Sequence, residues 1–149
     1  METQVVIEKI EKTTSMPVLK LASSYPGARV HGRVITTKVV GVSFEGRQEV
    51  VARLQMGDRC WLSMEPENAY DSNAIAVSRS NGEQIGYLNR HLAASIVPYF
   101  RAYRFPVKGK ISLTTGSAWD GYQLGAVVSF KIPKLTYHNH DIPELDWDE

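Results

Sequence analysis

CWLSMEPENAYDSNAIAVSRSNGEQIGYL, residues 60–88, alternates short apolar runs with polar turns, and its reading decides the fold. CWLSM (60–64), AIAVSR (74–79) and QIGYL (84–88) carry strand-forming residues in bounded runs, and SNGE between the last two is a hairpin turn. The other connection, PENAYDSNAI from Pro66 to Ile75, is longer than a hairpin needs and spends Tyr70, Asp71, Asn68 and Asn73 on one turn. Outward from this block the pattern is again strand. ARVHGRVITTKVVGVSF (28–44) is rich in Val, Ile and Thr, with Gly32 and Gly41 permitting a bend or bulge. VKGKISLTT and YQLGAVVSFKIP follow later, joined by GSAWDG. Two segments read as helix. EVVARLQ (49–55) puts Val50, Val51 and Leu54 on one stripe, and NRHLAASIVPYFRAYR (89–104) spaces Leu92, Ile96, Tyr99 and Tyr103 helically. Pro98 predicts a kink or an early end near Val97. The fold class is therefore all-β with minor α, a closed or nearly closed small barrel of about six strands and two short helices.

Composition bounds the function. The chain has 149 residues, 43% apolar and 22% charged, which is ordinary globular composition and excludes disorder. Seventeen basic against sixteen acidic side chains give a net charge of +1, so any basic face must be local. The single cysteine, Cys60, sits in an apolar run and reads as a buried thiol in a reducing compartment. METQVVIEKIEK mixes charges into its apolar residues, and so resembles neither a signal peptide nor a membrane span of about 20 apolar residues. These features predict a soluble, cytoplasmic protein with no membrane partner. Residues 1–27 read as an N-terminal extension, 28–133 as the barrel and 134–149 as an acidic tail able to cover a basic groove.

Three motifs in order, VVGVSFEGRQ, MEPENAYDSNAIAV and IGYLNRHLA, make the chain resemble the HIRAN domain. That module occurs at the N-terminus of some chromatin-remodelling, helicase-like ATPases and as small bacterial and phage proteins. The resemblance implies a modified OB-like barrel that binds single-stranded DNA and captures its free 3′-hydroxyl end. No GxxxxGK[ST] motor signature is present, so the chain resembles the recognition module standing alone.

A pocket for a terminal nucleotide needs a flat ring for the base, donors for phosphate and an acceptor at the sugar hydroxyl. The resemblance places Tyr70 as a stacking platform, Asp71 as the carboxylate accepting the hydroxyl proton, and Asn68 at the base or backbone. Phe44 would be the opposite wall of the stack, Tyr87 and Arg90 would contact phosphate, and Tyr122, with Trp119 in the same loop, would meet the terminal base. Each has a structural alternative. Asp and Asn form turns unaided, Asn73 reads as purely architectural, and Tyr122 is equally placed for a core role. The sequence departs from the DNA-binding relatives at three positions: Ser43 stands for arginine, Phe44 for tyrosine and Tyr87 for histidine. Two of these changes remove polar contacts and predict weaker end affinity, while the near-neutral charge predicts a shallow salt dependence, with Arg47, Lys108 and Lys110 as compensating phosphate contacts or mere surface charges.

YHNHD (137–141) spells HNH by chance, and His138, His140 and Asp141 form no credible metal site without supporting residues. No catalytic constellation and no cofactor motif is present, so the expected protein is not an enzyme. The first functional reading is a non-catalytic binder of single-stranded DNA ends serving DNA repair, replication or processing. The alternative is a protein-interaction or inhibitory module of phage or mobile-element origin, acting on a DNA-processing partner.

Overall fold

The computed structural model describes residues 28–103, 106–116 and 123–133. The extension 1–27, Trp119, Tyr122 and the tail with its histidines lie outside the described residues.

Among the described residues seven strands form one antiparallel sheet: β1 (Arg29–His31), β2 (Val34–Lys38), β3 (Arg59–Met64), β4 (Ile75–Arg79), β5 (Gln84–Tyr87), β6 (Val107–Thr115) and β7 (Gly125–Lys131). Their order is β1-β2-β7-β6-β3-β4-β5. The count exceeds the six expected because the 28–44 run is not continuous. Gly32, at φ 62°, turns the chain between β1 and β2 and makes them a hairpin.

The sheet curls until its ends meet. Register shifts at Val77/Ser78 and Ile111/Leu113 add local twist. Beyond β2, Val40 then pairs with Tyr87 of β5. Each amide donates to the other's carbonyl at 2.8 Å, a two-bond seam that closes the barrel. Gly86 makes the approach possible, since a Cβ there would lie 2.4 Å from the Val40 carbonyl oxygen.

Period-two alternation fills the interior. Ile35, Leu62, Val77, Ile85, Val107, Ile111, Val128 and Phe130 are all buried. Cys60 joins them, and burial pushes its thiol up to about 12, as expected of an inert core cysteine.

Two helices accompany the sheet among the described residues. The first, α1 (Arg47–Ala52), starts two residues before the sequence pattern suggests and ends sooner, while Val51 and Leu54 pack inward as expected. Gln48 ties α1 across the barrel, donating to the Val42 and Leu124 carbonyls and accepting the Leu124 amide. The second, α2 (Arg90–Tyr103), is capped by Asn89, whose side-chain oxygen accepts the His91 and Leu92 amides. Pro98 does not end it. The missing bond to Ala94 falls on the exposed side, while Leu92, Ile96 and Phe100 hold the other side to the core. Phe100 meets Phe130 edge-to-face at 6.1 Å.

Candidate nucleic-acid interface

The long turn between β3 and β4 is built by its own polar side chains. The Asn68 side-chain oxygen accepts the Tyr70 and Asp71 amides at 2.9 and 3.1 Å. Asp71 Oδ1 accepts the Asn73 amide at 2.9 Å, and the Asp71 carbonyl accepts the Ala74 amide. Both residues are thus the turn-formers that local chemistry favours. The turn role does not exhaust them. Asp71 is only half-buried, and its second oxygen accepts no hydrogen bond among the described residues. The Tyr70 ring, held at the tip of the turn, is 93% exposed.

Glu65 connects this turn to the seam. Its Oε1 accepts the Tyr87 hydroxyl at 2.9 Å and the Asn68 amide nitrogen at 3.0 Å. The opposite side of the Tyr87 environment is basic. Arg47 donates to the Gly41 carbonyl at 2.7 Å and to Glu45 at 3.1 Å, and its guanidinium stands over the Tyr87 ring. Arg47 is therefore not a solvated surface charge, for only 7% of it is exposed. Glu45, at φ 55°, follows a turn that starts at Gly41, and most of its side chain is exposed.

Glu45, Arg47 and the tip of the turn border a single cleft of about 460 Å³, which Glu65 supports from outside its lining. Asn68, Tyr70, Asp71, Tyr87 and Arg90 all line it, so five of the seven candidate residues converge. Arg90, the first residue of α2, is exposed and has no ion pair among the described residues. Phe44 does not line the cleft. It sits in the turn after Gly41 beside Glu45, with its ring 65% exposed. Lys108 and Lys110 lie elsewhere, on β6.

Arg47 in its buried role, Glu45, Glu65 and Val40 were not singled out from sequence. Glu65 had a usable signal, standing three residues before Asn68 at the start of the turn. Val40 had none, because its place depends on a pairing with a strand 47 positions away. Among the described residues no cluster of His, Cys, Asp or Glu could hold a metal ion, and no helix is long and apolar enough to cross a membrane.

Comparison with known proteins places this architecture. A crystal structure of a protein from Lactobacillus plantarum superposes with a TM-score of 0.50 at 20% identity, over 64% of this chain and 91% of that one. A Fanconi-associated nuclease 1 homolog of Arabidopsis thaliana is 32% identical over 82 residues, 55% of this chain but 9% of that protein. The helicase-like transcription factor of Oryctolagus cuniculus is 54% identical over 35 residues, 24% of this chain and 4% of that protein. The chain thus spans less than a tenth of the length of these relatives. The HIRAN domain profile matches residues 33–131, from the start of β2 to the end of β7. By that match, which takes in β2 to β7 and every residue that lines the cleft, the chain belongs to the HIRAN domain family.

Proposed function

We propose that the cleft receives the terminal nucleotide of single-stranded DNA at a free 3′-hydroxyl end, as a non-catalytic step in DNA repair, replication or processing. One observation carries this reading: an exposed ring, a carboxylate with an uncommitted oxygen and the exposed Arg90 share one cleft of nucleotide size. Tyr70 offers a face for the base, and stacking of this kind is worth about 1–3 kcal/mol whatever the base. Phe44 and Tyr122 are further candidate rings. Arg90 supplies charge for phosphate at the start of α2, the end of the helix whose dipole favours an anion. Asp71 accepts the terminal hydroxyl in a charge-assisted bond, whereas a terminal phosphate there would face both Asp71 and Glu45. The names of the relatives, a nuclease homolog and a helicase-like transcription factor, agree with a setting where strand ends occur.

The test is fluorescence anisotropy with matched oligonucleotides ending in 3′-hydroxyl or 3′-phosphate, with and without Asp71→Ala. A preference for the hydroxyl end that disappears in the variant is expected. Equal affinity for both ends in the native chain would remove the proposal.

A further inference from the structure

None of the seven strands contains an aspartate or glutamate. The near-zero net charge therefore hides a segregation of sign, and the burial alternation puts the cations of β3, β6 and β7 on the outward surface, while Arg79 of β4 pairs with the buried Cys60. In β3, Cys60 and Leu62 are buried while Arg59, Trp61 and Ser63 are not. In β6, Val107, Gly109 and Ile111 are buried while Lys108 and Lys110 are not. Cross-strand partners share a face, so pairing gathers the outward residues into two rows. Trp61 lies between Ser78 and Lys108, and Arg59 beside Lys110, which neighbours Ser129 and through it Thr36. The Thr36 and Ser129 hydroxyls meet at 2.7 Å on this face. Lys131, at the end of β7, follows the buried Phe130 and alternates outward as well.

Among the described residues, Asp58 and Glu83 are already engaged. Asp58 accepts the Gln55 amide, and Glu83 pairs with Arg53 and Arg79. Arg59, Lys108 and Lys110 each have an interaction within the chain, so an incoming anion engages them by exchange. At one end of the rows a cavity of about 510 Å³ is lined by Trp61, Ser63, Ser78, Tyr103 and Lys108 among others, and shares no residue with the end-binding cleft.

We infer that this outer face is a second binding surface, for the internal part of a single-stranded nucleic acid, with an unpaired base against Trp61 and successive phosphates at Lys108 and at the Lys110–Arg59 pair. The two lysines stand about 7 Å apart along the extended strand, on the order of one extended nucleotide step. Hydroxyls of Ser63 and Ser78 beside the ring can bond the base edge or sugar. Cations alone would accept any polyanion, but a ring walling a cavity adds a π face that only an unpaired base can reach. This surface needs no strand end.

The probe is a short covalently closed circle of single-stranded DNA, which offers no terminus, titrated by anisotropy against the full chain. The circle is expected to bind. Lys108→Gln with Lys110→Gln should weaken it at least tenfold and flatten the salt slope by about 1.4, from roughly 0.7 for each lost phosphate contact. Trp61→Leu should weaken it with the slope unchanged, and Asp71→Asn should have no effect. Should Trp61→Leu fail to fold, the double lysine variant decides alone, since both lysines lie on the outer surface. The inference is overturned if the circle does not bind or if the lysine variant binds it equally well. It is also overturned if duplex DNA or polyglutamate binds as tightly as the circle. Loss of end preference in Asp71→Asn concerns only the cleft, so the two readings fail separately.

Discussion

The guanidinium carbon of Arg47 lies 5.3 Å from the centroid of the Tyr87 ring, and the same guanidinium donates to the Gly41 carbonyl. A cation that the sequence offers as a surface charge thus braces the seam residue from beneath. Burying a charge this deeply costs free energy unless its donors are used, and the ring, the carbonyl and Glu45 provide that use.

Arg47→Met should therefore act on stability and Tyr70→Ala on binding. Losing Arg47 leaves the Gly41 carbonyl without its donor and removes the ring contact, an expected cost of about 2 kcal/mol. Tyr70 packs against little, so its removal should change stability by less than about 0.5 kcal/mol. The same change should weaken oligonucleotide binding by about 1–3 kcal/mol. Urea denaturation and anisotropy on both variants check the separation; a Tyr70→Ala chain that binds normally would contradict it.

Glu65→Ala should loosen the long turn, because the Tyr87 hydroxyl and the Asn68 amide lose their shared acceptor together. A loss of about 1–2 kcal/mol is expected, with Glu65→Gln retaining most of it through its remaining carbonyl oxygen. Thermal melts of the two variants side by side measure the difference.

Gly86→Ala should be costly although it adds one methyl group. The new carbon would meet the Val40 carbonyl oxygen at 2.4 Å and a Val39 methyl at 2.8 Å, and backbone cannot swing aside as a flexible side chain does. About 2 kcal/mol or more is expected from such overpacking. Equal stability in urea would show that the seam gives way freely.

The β4–β5 hairpin should carry an acid-sensitive contact. Hydrogen bonds from Asn81, then Arg53 and Arg79, hold the Glu83 carboxyl down at about 2 against an ordinary 4.5. A depressed folded-state value stabilises above the unfolded one, so the contribution is complete above about pH 4.5 and is lost as pH falls towards 2. Glu83→Gln should flatten stability across that window and leave its shape near neutrality unchanged. Melting temperature against pH, for the native chain and the variant, is the measurement.

Local patterning made the strands legible: 60–88 divides into β3, β4 and β5 at nearly the expected residues because turn chemistry and period-two burial agree there. The convergence of Asn68, Tyr70 and Asp71 was legible for the same reason, since one turn holds all three. Arg47 was not, because whether a cation is exposed depends on what folds over it, and the Tyr87 ring comes from β5, 40 positions further along the chain. Pro98 misled because a proline ends a helix only when no packing compensates, and here Leu92, Ile96 and Phe100 do so. The acid-free strands could be counted from sequence, yet the charge total masks them until pairing shows which side chains share a face.

Val40 and Tyr87 fasten the wall with one reciprocal pair of bonds, and both also border the cleft. A guest seated there leans on the clasp itself. Whatever free energy it gains from those two residues resists their parting, so occupancy should register as slowed deuterium uptake at the Val40 and Tyr87 amides while the far side of the barrel exchanges as before.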